Sequence, residues 1–222
     1  MGEQRSIAVV SAGLSQPSST RLLADRLAAA TRDSLAERDL DARIEVVELR
    51  EHAHAITDKL LSGFAGATLS PILDQMVRAD GLIAVTPTWN ASYSGLFKSF
   101  VDVLPEGALA GKPVVIGATG GSARHSLVTE HALRPLFTYL RAVVLPTAVY
   151  AASEDWGAGA ACPDGSGAAG RRLSERIARA GSELADQLTG QRSGADNRAP
   201  DGFTRPVEFA ELLADVAEGR RL

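Results

Sequence analysis

Gly81-Leu82-Ile83-Ala84-Val85-Thr86-Pro87-Thr88-Trp89-Asn90-Ala91-Ser92-Tyr93-Ser94-Gly95 is the stretch that decides the fold. Residues 81–85 form an apolar run long enough for a buried strand, and Leu96-Phe97-Lys98-Ser99-Phe100-Val101 beyond the loop reads as a helix. A loop leaving the carboxyl end of a central parallel strand is where open α/β folds place their ligands. Residues 86–95 carry hydroxyls, an amide and two aromatic rings, with Pro87 and Gly95 to shape the path. That mixture suits a flat heterocycle with polar edges. The alternative is a decorated connector, since loops are polar and rich in turn formers in any case.

Outward from this stretch, strand and helix signals alternate. Ser6–Ser11 reads as a short buried strand, and Leu23, Leu27 and Ala30 follow at helical spacing. Arg43–Leu49 is a second strand whose partial alternation predicts a place nearer the sheet edge. Residues 50–69 read as irregular with a short helical insert. Ser70-Pro71 opens a helix ending near Asp80-Gly81, a capping side chain followed by proline at the first helical position. After the 86–95 loop a helix runs to about Leu104, and Lys98 pairs with Asp102 at i, i+4. Pro113–Thr119 is strand four. A helix carrying Leu133, Leu136, Phe137 and Leu140 on one face follows, with Pro135 as a kink or as its true start. Ala142–Leu145, extending toward Tyr150, is strand five, and a long helix covers about Arg171–Leu188. Five short apolar strands alternating with amphipathic helices predict a doubly wound five-stranded parallel sheet in an α/β domain covering residues 1–190.

Two segments break the pattern. Residues 157–170 hold five Gly and five Ala and read as a loop that packs no core, with Cys162 incidental in it and Trp156 beside it as a packing anchor. Residues 191–222 read as a polar linker and a tail helix, Pro206–Glu218, with Phe209, Leu213 and Val216 on one side.

Composition narrows the partners. The chain has 222 residues, 45% of them hydrophobic and 23% charged, which is ordinary for a globular domain able to bury a core. A net charge of −4 gives no electrostatic case for nucleic acid. One cysteine permits neither an internal disulfide nor a cysteine zinc site and fits a cytoplasmic setting. The amino terminus does not look like a signal peptide, and no apolar run approaches the ~20 residues that span a bilayer.

In such a sheet the loops after strands one, three and four emerge at one edge. The first, Ser11-Ala12-Gly13-Leu14-Ser15-Gln16-Pro17-Ser18-Ser19-Thr20, holds five hydroxyl residues and ends where a helix begins. Free N–H groups and the helix dipole there favour an anion, and hydroxyls add neutral donors. A simple N-cap, the other reading, needs only one of them. It is neither a Walker A loop nor a dinucleotide glycine motif. The third loop, Thr119-Gly120-Gly121-Ser122-Ala123-Arg124-His125-Ser126, brings paired glycines that let a backbone approach a planar ligand. One phosphate cradle and two ring-sized loops describe a mononucleotide site, and flavin mononucleotide (FMN) fits that shape.

The order of these motifs, Pro-Thr-Trp-Asn-x-Ser-x-Ser-Gly-x-x-Lys between the hydroxyl-rich loop and Thr-Gly-Gly-Ser-x-x-His, resembles the NADPH-dependent FMN reductase family, most closely its actinobacterial branch, over roughly residues 5–150. The resemblance implies a flavodoxin-like fold, reduction of FMN by NADPH or NADH, a homodimer or tetramer, and in some members a partner flavin-dependent monooxygenase. Carried over by position, Ser18 and Thr20 match the family's Ser-x-Asn phosphate ligands, with Thr in place of Asn, and Ser11, Ser15 and Ser19 complete that loop. Ser15 stands where many members have Arg, a loss for which the neighbouring Arg21 is a candidate replacement. Pro87, Thr88, Trp89, Asn90 and Ser92 would line the flavin ring, Thr119, Gly120 and Gly121 would bound one side of it, and His125 is a ligand-contact candidate. Hydride transfer from nicotinamide to flavin needs no protein nucleophile, so no catalytic residue and no metal are expected. The rival readings are a flavodoxin-like electron carrier, a quinone or azo reductase on the same scaffold, and a nucleotide-sensing regulator.

Overall fold

The computed structural model describes residues 3–160 and 168–190. Strands β1 (Gln4–Ser11), β2 (Asp41–Glu48), β3 (Gly81–Trp89) and β5 (Pro113–Gly120) form the parallel body, in the order β2-β1-β3-β5. The fifth lane is split into β6 (Val143–Val144) and β7 (Val149–Ala152), both parallel to β5. Pro146 has no N–H to give the ladder and sits in the break, so the single fifth strand expected from sequence is two short ones. β4 (Ser92–Tyr93) adds an antiparallel hairpin on β3. Among the described residues the sheet thus has seven strands but five lanes, in the flavodoxin-like order.

Alternation along the strands divides the core in two. Ala8, Val10, Leu82, Ala84, Val114 and Ile116 face one side, against α2 (Ala53–Ser62), α3 (Ser70–Arg78), α4 (Gly95–Asp102) and α5 (Arg134–Tyr139). Ile7, Val9, Ile83, Val85 and Val115 face the other, against α1 (Ser19–Ala36) and α7 (Ala168–Thr189). β2 lies at the edge, as its half-exposed pattern predicts. The α1–α7 crossing is close: a Cβ on Gly181 would lie 2.7 Å from the Ala30 carbonyl carbon and 2.8 Å from the Thr31 nitrogen.

Several local expectations need correction. Residues 53–62 are a full helix, entered through a 3₁₀ turn at Leu49–His52. Only Ile56 of that helix is buried, which is why no stripe announces it. The residue before α3 is Leu69, with no side-chain cap, so Ser70 begins the helix and Pro71 supplies the start signal. A π segment, Thr129–Leu133, precedes α5, and Pro135 sits in the first turn of α5. Leu133 and Phe137 are buried, with Leu136 and Leu140 packed beside them, so that stripe serves the chain's own core. Helix α6 (Ser153–Ala160) and the start of α7 take up both ends of the Gly/Ala-rich segment. Cys162, between them, and the predicted linker and tail helix of 191–222 lie outside the described residues. Trp156 packs on the α1–α7 core with the Arg26 guanidinium 5.1 Å from its ring centroid, as a packing anchor should.

Two buried cations hold helix ends. Arg5 Nε donates to the Leu188 carbonyl at 2.8 Å, near the end of α7. Lys112 Nζ donates to the Met76 carbonyl and, at 3.0 Å, to that of Val77 in the last turn of α3. Burial lowers the Lys112 pKa from 10.5 to about 8, against an opposing pull from Asp80. Between those values the unfolded chain holds a proton that the folded chain has released, so the contribution of Lys112 to stability rises with pH across that window and is flat below it. The stability of the unaltered protein relative to Lys112→Met should therefore grow by about 2 kcal/mol from about pH 7.5 to about pH 9.5 in urea melts, at 1.36 kcal/mol per unit above the folded pKa. A difference independent of pH would show that the ammonium is not desolvated.

Candidate functional site

The site is built at the carboxyl edge of β1, β3 and β5. Ser11 pairs in register with Val85, and Pro87 with Thr119, so the three predicted loops leave the sheet side by side. Their contact is direct: the Thr20 and Thr119 hydroxyls are 2.8 Å apart and both residues are buried.

Ser18 is the N-cap of α1, extended at φ −119° and ψ 120°, and its Oγ accepts from the Arg21 amide at 3.2 Å. The chain doubles back so tightly that a Cβ on Gly13 would lie 2.0 Å from Ser18 Oγ. Ser15 and Ser19 are exposed on the same loop, and the amides of the first helical turn have no partner within a helix. Ser11 is 1% exposed and its Oγ has no hydrogen-bond partner. Such an atom is costly unless a ligand or water satisfies it. The loop thus gathers neutral hydroxyls and amides, a donor set that fits a phosphate monoester. Arg21 does not supply the missing charge. Its guanidinium pairs with Asp25 at 2.8 Å and Glu48 at 2.6 Å, and the Asp25 hydrogen bond chiefly raises its pKa. Beside the loop Arg50 pairs with Glu48 at 3.0 Å, and its guanidinium faces the Gln16 side-chain amide.

The second element is not a loop but a hairpin. β3 runs on through Trp89, and Thr88↔Tyr93 and Trp89↔Ser92 pair across a two-residue turn. Asn90 and Ala91 have φ 49° and 64°, the left-handed pair that a twisted hairpin prefers. Pro87, Thr88 and Ser92 are half-buried, and Trp89 and Asn90 are exposed at the tip. Ser94, which the sequence reading did not single out, ends the hairpin. Buried, it caps α4 by accepting from the Phe97 amide at 3.3 Å, and its own amide donates to Thr86 Oγ1 at 3.1 Å. Its place just before the Gly95 helix start was the available signal.

In the third loop the space beside Gly120 is occupied from within. The Tyr150 hydroxyl passes there, 2.1 Å from where a Cβ would stand, and donates to the Ser122 carbonyl at 2.9 Å. Burial raises the Tyr150 pKa, so it serves as a neutral donor. Tyr150 is a second residue missed from sequence, since a strand tyrosine is indistinguishable there from core. Gly121 faces open space. His125 is exposed on a short 3₁₀ turn, Ala123–His125. Lys98 is bonded to both carboxylate oxygens of Asp102 at 2.6 and 2.7 Å, as expected from their spacing. Among the described residues no group of His, Cys, Asp and Glu is placed to hold a metal, and no helix is long and apolar enough to cross a membrane.

Comparison with known proteins agrees with this geometry. FMN reductase (NADPH) of Pseudomonas aeruginosa is 39% identical over 150 residues, which is 68% of this chain and 78% of that protein. NADH-dependent FMN reductase SfnF of Pseudomonas putida is 38% identical over 148 residues, 67% of this chain and 77% of its own length. The crystal structure of an oxidoreductase from Corynebacterium diphtheriae superposes with a TM-score of 0.80 at 42% identity, covering 86% of this chain and all (100%) of that one. The family profile described as NADPH-dependent FMN reductase matches residues 5–157, which takes in β1 through β7 and all three loops. With a hydroxyl-rich loop, a hairpin and a glycine loop gathered at one sheet edge, and with the profile and relatives matching over them, this chain belongs to the NADPH-dependent FMN reductase family.

Proposed function

We propose that the chain is an NAD(P)H:FMN oxidoreductase that seats the FMN phosphate on the loop after β1 and the flavin ring between the β3–β4 hairpin and the loop after β5. The observation that carries the placement is the Thr20–Thr119 bond, which draws the phosphate loop and the glycine loop into one site. Ser11, Ser15, Ser18, Ser19 and Thr20 are the phosphate side. Pro87, Thr88, Trp89, Asn90 and Ser92 are the ring side, closed by Thr119, Gly120 and Gly121. When bound, FMN supplies the hydride acceptor and the nicotinamide nucleotide the donor. The protein's part is to hold the two rings in register and to exclude water from between them, so no side chain needs to exchange a proton.

The domain boundary falls near residue 190 in this reading, with 191–222 as linker and tail. Reduced flavin is passed to a flavin-dependent monooxygenase. The setting is the cytoplasm, consistent with one cysteine in 222 residues. The working unit is a homodimer or tetramer: Leu61 and Phe64, 83% and 81% exposed at the end of α2, are apolar surface of the kind an assembly covers.

Purified protein given FMN should oxidise at least one of NADPH and NADH, followed by the absorbance of the reduced nicotinamide, and should scatter light as an oligomer. Demonstrated FMN binding with no turnover on either nucleotide would overturn the enzyme in favour of a carrier or sensor. A monomeric mass would overturn the assembly.

A further inference from the structure

Beside the hairpin lies an open cleft of about 350 Å³, lined by Ala91 and Ser92 of the hairpin, Arg124 and His125 of the 3₁₀ turn, and Leu127, Val128, His131 and Ala132. We infer that this cleft takes the adenosine end of NADPH, with Arg124 as the contact to its 2′-phosphate and so the residue that separates NADPH from NADH. The inference rests on the reductase reading above.

Charge is the first argument. Arg21, Arg38, Arg50 and Arg134 are each committed to a carboxylate. The Arg124 guanidinium has no hydrogen-bond or ion-pair partner among the described residues; only its backbone amide is bonded, to Ser122 Oγ at 3.3 Å. His125 and His131 are exposed beside it. The nearest acid in sequence, Glu130, is held by Arg134 at 2.6 and 3.0 Å, a bond that keeps its carboxyl below the ordinary range. The cleft therefore offers an unneutralised planar cation and two imidazoles, a set suited to a phosphate dianion.

Shape and stiffness are the second. Leu127, Val128 and Ala132 add an apolar surface for an adenine, and ligand clefts begin at roughly 300 Å³. Arg124 projects from a turn fixed at its root, since Tyr150 holds the Ser122 carbonyl and Ser122 Oγ holds the Arg124 amide. A cation on an anchored turn gives up less freedom on binding than one on a free loop. The cleft also borders Ser92, one of the proposed ring-lining residues, so a dinucleotide seated with its nicotinamide at the hairpin would have its other end on this side.

The test pairs binding with kinetics. Calorimetry on the unaltered protein should show 2′,5′-ADP binding more tightly than 5′-AMP, and Arg124→Ala should remove that preference. In steady state, Arg124→Ala should lower the ratio of kcat/KM for NADPH to that for NADH by about tenfold, the scale of one charge-assisted contact, while Arg124→Lys keeps part of it. Equal binding of the two adenosine phosphates by the unaltered protein, or an unchanged NADPH to NADH ratio in the variant, overturns the assignment. If the protein oxidises neither nucleotide, the reductase reading fails, and the calorimetry still decides whether Arg124 reads a 2′-phosphate.

Discussion

Gly181→Ala is expected to destabilise the fold by about 2 kcal/mol, although alanine favours a helix over glycine by roughly 1 kcal/mol. The added methyl has nowhere to go. It would stand 2.7 Å and 2.8 Å from main-chain atoms of Ala30 and Thr31, and main chain does not rotate aside as a side-chain tip does. Helix α1 or α7 must move off, and with it the packing of Leu23, Leu27, Ile177 and Leu184 on the sheet. Because α1 also carries Ser18 and Thr20 at its amino end, a shifted α1 should weaken FMN binding as well. Urea unfolding of the variant checks the first effect and a flavin titration the second. Stability equal to or above that of the unaltered protein would mean that the helices are not in main-chain contact.

Ser18→Ala with Thr20→Ala should weaken FMN by roughly 1–3 kcal/mol, or about 5- to 150-fold, at about 1 kcal/mol per ordinary hydrogen bond and more for charged acceptors. Riboflavin, which lacks the phosphate, should lose much less. The structure adds a second consequence. Ser18 caps α1 and Thr20 is bonded to buried Thr119, so the double variant also loses an N-cap and leaves a buried hydroxyl unpaired, at about 1 kcal/mol or more each. The comparison of the two flavins removes this common loss. Equal weakening of FMN and riboflavin would show that the loop does not hold the phosphate.

Much of this architecture is legible without coordinates. The three central strands are continuous apolar runs because both their faces are covered, and an uninterrupted run is the least ambiguous signal a sequence carries. The Lys98–Asp102 pair follows from spacing alone. The β3–β4 hairpin was hidden because its turn is Asn90-Ala91: asparagine tolerates left-handed backbone, but alanine gives no sign of it. Helix α2 was legible only as a short insert without bounds, because Leu60 and Leu61 lie exposed, and a helix that buries one residue has no stripe to read. The π segment has no composition of its own; its extra residue shows only in the hydrogen bonds. At the site, sequence named the hydroxyls but not their state: which serine caps the helix, and which is left unpaired, depends on how the chain doubles back at Gly13. Of the two partners of Arg21, Asp25 at i, i+4 was within reach of the sequence, but Glu48 was not, because it arrives from β2.

The break in the fifth lane also bears on what happens when copies of this chain meet. A parallel sheet ends in two bare strands whose N–H and C=O groups invite a stranger's backbone. Here one border is not a continuous strand at all. Pro146 offers no donor, and the Thr147 amide and hydroxyl are turned to Glu183 at 2.9 and 2.5 Å. On the opposite border β2 is full length but carries Asp41, Arg43 and Glu45 in alternation. One flank is thus interrupted and the other charged, and neither presents a neutral ladder for edge-to-edge fibre growth. The residues that spoil the regular sheet guard it against aggregation.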